Sequence, residues 1–536
     1  MHRLFKSDVV RIGLLFTLFL VNLFSFYALS HIGEACFSIV FFGVLFAAAA
    51  YVYLRKRQNF VELFVLLFLL CFFYWLYFHS TSQATYQFLD YKQGQYYRML
   101  AGAFAKGSLG VVGGPPWDWC IYNNTNYLCH GPLPALVWAP FGVLGRLTST
   151  AMLTFTELTL VCAITNLLVF YIMIRQLSRR FNVGNQMLWP RILFFLVYAF
   201  GPLYFLASRY FVYETSIIFG STFMIVSFIL FIEYLRPCRG ASGKSSVLLL
   251  SSASLCLAFS SRTNLFLAFL PFTCLVFFSE LTTDIAEDRM QSRTMQALFR
   301  TTLFMLPIVM SAALYLWYNA ARFGNPLEFG LKYQYVGLPQ DAQRLRDGTN
   351  FSMAYVPRNV YSVTLLAPSM SSEAPFVHYG KPEWLVGEYP KLTNIEYCSS
   401  IFFSSPLLLF AVFAIAYVRK SWMMSRSDRV VPAAIVLALI SCAAFPFFGM
   451  GYSRRYLQDY YPFVVLLSYL GFLMFWGSWG RKSGSWQKAI LGLSLMMGVA
   501  WTFAMAFDLN VQWAFSSDFS RALRIYNSEE TFVPLS

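Results

Sequence analysis

A few charged residues stand where so apolar a chain has little reason to keep charge. They are Asp90, in Phe88-Leu89-Asp90-Tyr91; Glu214, in Ser208-Arg209-Tyr210-Phe211-Val212-Tyr213-Glu214; Arg262, in Ser260-Ser261-Arg262-Thr263-Asn264; and Arg454-Arg455, followed by Asp459 ahead of Pro462. Glu214, Arg262 and Arg454-Arg455 fall at the boundary of a hydrophobic run, and Asp90 about a dozen residues beyond one. An ionisable group at a membrane boundary costs insertion energy and is usually kept for a function. A carboxylate in such a place can take a proton from an attacking hydroxyl, and a guanidinium group can hold a phosphate through paired hydrogen bonds. Simpler roles stay open: Asp90 as a helix N-cap, Arg209 and Glu214 as a local ion pair, and each arginine as a group reaching to lipid headgroups.

The elements that must position these residues follow from composition. The chain has 58% hydrophobic and 12% charged residues and a mean hydropathy of +0.55, far from the roughly 25% charged residues of soluble domains. Apolar runs near the ~20 residues needed to cross a hydrocarbon core recur at 9–29, 34–54, 60–78, 151–174, 190–207, 211–235, 246–261, 263–279, 301–319, 401–418, 430–449, 460–478 and 487–507. The sequence therefore predicts an all-α, polytopic membrane protein of about thirteen transmembrane helices, with 246–261 and 263–279 short enough that one could be re-entrant. Lys and Arg gather after every second span, from Arg55-Lys56-Arg57 through Arg175/Arg179/Arg180 and Arg289/Arg293/Arg300 to Arg481/Lys482. By the positive-inside rule these connectors are cytoplasmic, which places the N-terminus inside and the C-terminal tail outside. The net charge of +15 is then mainly a topology signal rather than a mark of nucleic-acid binding. The apolar run of the first span is too long for a cleavable signal peptide.

This orientation puts 79–150 and 320–400 outside, and both are far longer than the usual connector of about 4–6 residues. The chain divides into an N-terminal hairpin (1–58), a core (59–319) that includes the first outer loop, the second outer loop (320–400), and C-terminal helices with an outer tail (401–536). Apolar spacing over Tyr96–Gly107 predicts a short amphipathic helix on the outer side. Cys120 and Cys129 have eight residues between them in the first loop; in an oxidising compartment they are expected to pair, with two free thiols as the alternative. Asn123-Asn124-Thr125 and Asn350-Phe351-Ser352 are glycosylation sequons. No Walker A loop, H-E-x-x-H, G-x-S-x-G or clustered Cys/His set occurs, and the five histidines His2, His31, His79, His130 and His378 are scattered.

The order of these elements resembles the glycosyltransferase C superfamily (GT-C), membrane enzymes that take sugars from polyprenyl-phosphate carriers. The resemblance covers most of the chain from the third span on. It is carried by Asp90-Tyr91 ahead of Tyr97, Leu100-Ala101 and Gly107; by Gly131-Pro132-Leu133-Pro134-Ala135-Leu136 with Pro140-Phe141; by Tyr213-Glu214; by Arg322-Phe323-Gly324-Asn325-Pro326-Leu327-Glu328-Phe329-Gly330; and by Arg455-Tyr456 with Pro462. These look like segments of protein O-mannosyltransferases and lipid A aminoarabinose transferases. The resemblance implies a GT-C fold and sugar transfer from a polyprenyl-phosphate donor to a lipid, glycan or protein acceptor on the outer face, in a bacterial inner membrane. Asp90 would be the base, Glu214 would orient acceptor or sugar, and Arg262, Arg454 and Arg455 would bind the donor phosphate. A divalent cation, Mg²⁺ or Mn²⁺, belongs to the implied chemistry, although Asp90 stands between Leu89 and Tyr91 where an acidic pair is common. A transporter or flippase for a lipid-linked or anionic solute is the alternative, and it would keep its ionisable residues near the midplane.

Overall fold

A computed structural model describes residues 57–84, 96–113, 118–148, 155–181, 188–207, 212–236, 241–281, 290–335, 339–370, 372, 377–378, 399–418, 426–449, 454–477 and 484–514. The expected spans 9–29 and 34–54, Asp90, Arg209 and the C-terminal tail lie outside the described residues. Met1–Trp75 and Leu76–Ser536 form two compact units.

In lipid a segment must satisfy its own backbone hydrogen bonds, so long apolar runs become helices. Every expected span from 60–78 onward has a helical counterpart. These are α1 (Arg57–Ala84), then, after α2 (Tyr96–Phe104) and α3 (Leu133–Thr148) of the first loop, α4 (Phe155–Arg180), α5 (Leu188–Ala199), α6 (Pro202–Ala207), α7 (Val212–Tyr234), α8 (Ala241–Ser261), α9 (Phe269–Leu281) and α10 (Met290–Phe323). The second loop holds α11 (Pro339–Asp347) and α12 (Val356–Thr364), and the C-terminal region has α13 (Ile401–Ser404), α14 (Phe410–Val418), α15 (Arg426–Phe448), α16 (Tyr461–Phe475) and α17 (Ser485–Ala514). Among the described residues seven helical segments are long and apolar enough to cross a membrane, and three shorter apolar helices accompany them. Thr263–Leu281 is one of the seven, a 3₁₀ turn (Thr263–Ala268) running into α9, and Gly243–Ser261 is another. The chain is a multi-pass membrane protein.

Two expected spans are broken, each at a proline that cannot donate a backbone hydrogen bond. Pro202 follows the turn at Gly201 between α5 and α6, and Pro406 opens a 3₁₀ turn between α13 and α14. Helix α7 is apolar all round and 78% of its span is buried, whereas the span in α10 is only 22% buried. Outward Leu306, Val309, Met310, Leu314 and Trp317 of α10 are more than half exposed, as expected of a helix whose solvent is lipid. Helices α7 and α8 are held by reciprocal serine bonds, Ser227 Oγ to Ser251 O and Ser251 Oγ to Ser227 O, both 2.8 Å. Small side chains let membrane helices approach closely; at Gly471 of α16 a Cβ would collide with the Phe410 carbonyl oxygen of α14.

The two long loops are joined, so they share one end of the bundle. Strands β1 (Trp119–Tyr122) and β2 (Thr125–Leu128) form a hairpin in the register Trp119↔Leu128 to Tyr122↔Thr125. Its two-residue turn, Asn123-Asn124, has φ of 48° and 57°, the left-handed geometry that asparagine tolerates in a type I′ turn. Tyr335 N donates to Trp119 O (2.8 Å) and Asp118 N to Tyr335 O (3.1 Å), laying the second loop along the hairpin edge. Arg322 ties the same region together, donating to Leu128 O (2.7 Å) and Asn319 Oδ1 (2.7 Å) while stacking on Tyr318. Gly330 sits at φ +87°, and a Cβ there would lie 2.6 Å from Phe323 Cζ and 2.9 Å from Cys120 Sγ, so the glycine of this segment is required on both counts. The apolar face of α2 is covered by protein: Tyr96, Tyr97, Leu100 and Ala101 pack with Trp119, Leu128, Ala135 and Val212, and core burial accounts for the amphipathic pattern.

Candidate functional site

Four pieces of chain meet at the loop-bearing end. They are Asp118 and His130 flanking the hairpin, the first turn of α7 with Tyr213 and Glu214, the chain at Arg262 between α8 and the 3₁₀ turn, and the 3₁₀ turn Arg454–Asp459 between α15 and α16. The hairpin is fixed at both ends. Cys120 and Cys129 form a disulfide with Cα atoms 5.7 Å apart, within the usual range for a bridge. Gly131 packs so tightly on the end of α8 that a Cβ would collide with the Ser260 carbonyl oxygen, which explains the glycine of Gly131-Pro132-Leu133-Pro134.

The first layer of the site is built on Tyr213. Its hydroxyl donates to Asp118 Oδ1 (2.7 Å) and accepts from Gln334 Nε2 (2.7 Å), so each long loop supplies one partner. The His130 ring stands edge-on to Tyr213 with centroids 4.4 Å apart, and the Arg455 guanidinium lies 4.5 Å above the Tyr213 ring. Asp118, His130 and Tyr213 are partly exposed and Arg455 keeps 21% of its side chain exposed, so solvent reaches this layer, here termed the recess. Asp118 is held at φ 63°, a left-handed conformation that aspartate adopts more readily than most residues.

Beneath lies a buried layer of carboxylates and guanidinium groups. Glu214 is fully buried, with Oε1 3.6 Å from Arg455 Nη1. Asp459, also fully buried, accepts at Oδ2 from Arg262 Nε and Nη2 (3.3 Å each) and from Asn264 Nδ2 (2.8 Å). Tyr456 connects the pairs, since the guanidinium groups of Arg262 and Arg455 lie 5.1 and 5.6 Å from its ring centroid. Burial pushes the Asp118 carboxyl above its ordinary range, and Tyr213, Arg455 and Gln334 pull it back only in part. Burial likewise raises Asp459 against the pull of Arg262 and Asn264. His130 moves the other way, down to about 3, because burial and then Arg262 and Arg455 disfavour a cation.

The structure thus brings together Glu214, Arg262 and Arg455 of the residues singled out from sequence, with the hairpin cysteines beside them. Arg454 is buried at 5% exposure in the same turn. Asp90 and Arg209 lie outside the described residues. Asp118, Gln334 and the placement of His130 were not foreseen. Asp118 offered one signal, an acidic residue between two tryptophans and next to a loop cysteine, Trp117-Asp118-Trp119-Cys120.

Among the described residues no group of three His, Cys, Asp or Glu side chains converges to hold a metal ion. The carboxylates at the recess do not fit one either: Asp118 accepts from Tyr213, while Glu214 and Asp459 face guanidinium groups whose positive charge would repel a divalent cation.

No protein-family model and no curated protein matches the sequence. Solved structures with a similar backbone course include the oligosaccharyltransferase AglB of Archaeoglobus fulgidus in the apo form (11% identity, TM-score 0.46, 88% of this chain and 62% of that one). The same enzyme in complex with an inhibitory peptide and a dolichol-phosphate gives 12% identity and a TM-score of 0.44, over 82% of this chain and 54% of that one. ArnT from Cupriavidus metallidurans bound to undecaprenyl phosphate gives 12% identity and a TM-score of 0.43, over 86% and 76%. The chain spans 62% or less of the length of these oligosaccharyltransferase chains. A likeness of this size assigns no activity.

Proposed function

We propose that the chain is a membrane glycosyltransferase of the GT-C type, transferring a sugar from a polyprenyl-phosphate-linked donor to a lipid, glycan or protein acceptor on the extracytoplasmic face of a bacterial inner membrane. The observation that carries this reading is the recess itself, where a partly exposed carboxylate, Asp118, stands within one tyrosine of the guanidinium of Arg455. Sugar transfer needs both partners: a carboxylate to take the proton of the attacking acceptor, and cations to hold the phosphate that leaves with the charge.

Two carboxylates are candidates for the base. The resemblance puts forward Asp90, and the geometry supports Asp118, whose carboxyl accepts from Tyr213 at the partly exposed layer and is raised by burial above its ordinary range. Arg455 is assigned to the donor phosphate. Arg262, held by Asp459, is assigned to its electrostatic stabilisation from the buried layer, and Arg454 to the same turn. Glu214 holds Arg455 from below and acts on donor or acceptor through it. The isoprenoid tail is accommodated in the surrounding lipid.

A transporter or flippase for a lipid-linked or anionic solute is the alternative reading, and binding of a donor without its consumption would favour it. Incubating the purified protein in lipid nanodiscs with a panel of polyprenyl-phospho-sugars tests the proposal. Consumption of a donor by wild type and not by Asp118→Asn or Asp90→Asn is expected. A protein that binds such donors and consumes none with any acceptor class overturns it.

A further inference from the structure

A polar atom at the Tyr213 layer of the recess has no hydrogen-bond partner among the described residues. Tyr213 uses its hydroxyl as donor to Asp118 and acceptor from Gln334, but the neighbouring His130 Nε2 is buried with no hydrogen-bond partner among the described residues. A buried polar atom left unpaired is destabilising and is normally satisfied by a ligand or water. The placement narrows which ligand: the ring rests on Tyr213 at 4.4 Å, and both Arg262 and Arg455 act electrostatically on it. An imidazole beside Tyr213, on whose ring the Arg455 guanidinium rests, stands in a positive potential that favours an anion. Its own ring, in the Nε2–H tautomer, adds a directed donor where the guanidinium groups add charge.

We propose that His130 is a ligand of a phosphate monoester bound in the recess, its Nε2–H donating to a non-bridging phosphate oxygen while Arg455 neutralises the group from across Tyr213. This rests on the reading of the recess as a donor site and adds to it a residue that motif comparison did not supply. His130 then touches the leaving phosphate rather than the acceptor, and serves in binding more than in proton transfer. Once an anion sits between His130 and the two arginines, the field that keeps the imidazole neutral is offset, so binding is expected to raise the affinity of His130 for a proton.

The test uses the full chain in nanodiscs and three probes: undecaprenyl phosphate in the bilayer, undecaprenol in the bilayer, and inorganic phosphate in solution. Binding of undecaprenyl phosphate, followed by native mass spectrometry, is expected to weaken roughly 10- to 100-fold in His130→Ala, the range for loss of a charged hydrogen bond. In His130→Gln, whose amide can still donate, it should weaken less. Undecaprenol should not bind specifically, and competition by inorganic phosphate would identify the phosphate group rather than the lipid tail as the recognised part. Should the variants fold poorly, wild type alone suffices: carbethoxylation of His130 should be slowed by undecaprenyl phosphate and not by undecaprenol. Equal affinity in wild type and both variants, or equal carbethoxylation with and without the phosphate, overturns the role of His130 and leaves the glycosyltransferase reading standing. Failure of wild type to bind any of the three probes overturns both.

Discussion

Two polar regions of this molecule are built on opposite plans. Midway along the bundle Tyr198 donates to Asn166 Oδ1, Gln458 Nε2 donates to the Tyr198 hydroxyl (2.6 Å), and Asn166 Nδ2 donates to Ser221 and Thr222 (2.9 Å each). All are neutral and buried. One residue further along, at Asp459, the plan changes: carboxylates and guanidinium groups alternate, and the side chains of the upper layer are partly exposed. The neutral network, in which Gln458 Oε1 lacks a hydrogen-bond partner among the described residues, specifies where helices α4, α5 and α7 meet the turn Arg454–Asp459. The charged one keeps charges that packing alone does not require. Because Gln458 belongs to the first and Asp459 to the second, the neutral network anchors the turn that carries the charged one.

If that division is right, conservative changes in the recess should cost turnover and spare the fold. Asp118→Asn keeps the acceptor for Tyr213 but abolishes proton acceptance, and Glu214→Gln removes the charge facing Arg455. Turnover in donor-consumption assays is expected to drop by ~10²-fold or more in Asp118→Asn if it is the base. Glu214→Gln should lower kcat and raise KM together, since it works through Arg455. Near-normal turnover in Asp118→Asn, with Asp90→Asn inactive, would transfer the base to Asp90; near-normal turnover in both, and in Glu214→Gln, would remove the chemical role of the recess.

The hairpin that roofs the recess gives the next effect. The Cys120–Cys129 disulfide closes a short loop, for which the chain-entropy model gives about 2–3 kcal/mol. Paired Cys120→Ser and Cys129→Ser changes should lower the unfolding midpoint and loosen Asp118 and His130 together, and peptides from the unreduced protein should carry the link in a mass spectrum. Free alkylation of both thiols in mature protein would contradict it.

Within the neutral network the expected outcome is reversed. Tyr198→Phe strips a donor from Asn166 and an acceptor from Gln458, and hydrogen bonds of this kind in membrane proteins are worth about 0.5–2 kcal/mol. Thermal unfolding in nanodiscs should show a loss of that size, with turnover of the folded fraction changed only a few-fold. A turnover loss matching that of Asp118→Asn without any loss of stability would mean that the mid-bundle residues do chemistry and the two regions are not distinct.

Much of this was legible in the chain. Hydrophobic runs gave the helices from 60–78 onward, because in lipid the length and apolarity of a run leave the backbone no alternative. Breaks at Pro202 and Pro406 divided two of them. Glu214, Arg262 and Arg455 were legible as charges at span ends. Asp118 was not, since Trp117-Asp118-Trp119 has no periodicity, and its meaning arises only when the hairpin folds onto Tyr213, 95 residues later. His130 was set aside as one of five scattered histidines; its neighbours Arg262 and Arg455 lie far along the sequence, and only tertiary structure brings them to one ring.

His130 also supplies the finest test of the comparison, through pH. In an unfolded chain its imidazole takes up a proton near the ordinary value of about 6.5, but in the folded recess it does so only at about 3. As pH falls from 7 towards 4 the unfolded state therefore binds a proton that the folded state refuses, and the native protein loses stability over that window. Asp118 and Asp459 act with the opposite sign: burial raises their folded pKa, so the native state binds protons more readily than the unfolded chain and gains stability as pH falls. The separate terms cannot be read from wild type alone. A difference curve isolates them: the unfolding midpoint of His130→Gln minus that of wild type should rise as pH drops from 7 to 4, with the groups facing the ring, Tyr213, Arg262 and Arg455, unchanged in both proteins. Adding undecaprenyl phosphate should flatten the curve, because the anion offsets the field of the arginines and lets His130 hold its proton when folded. A flat curve without the phosphate would show that the ring is solvated and ionises freely, and would place His130 with ordinary surface histidines outside the charged recess.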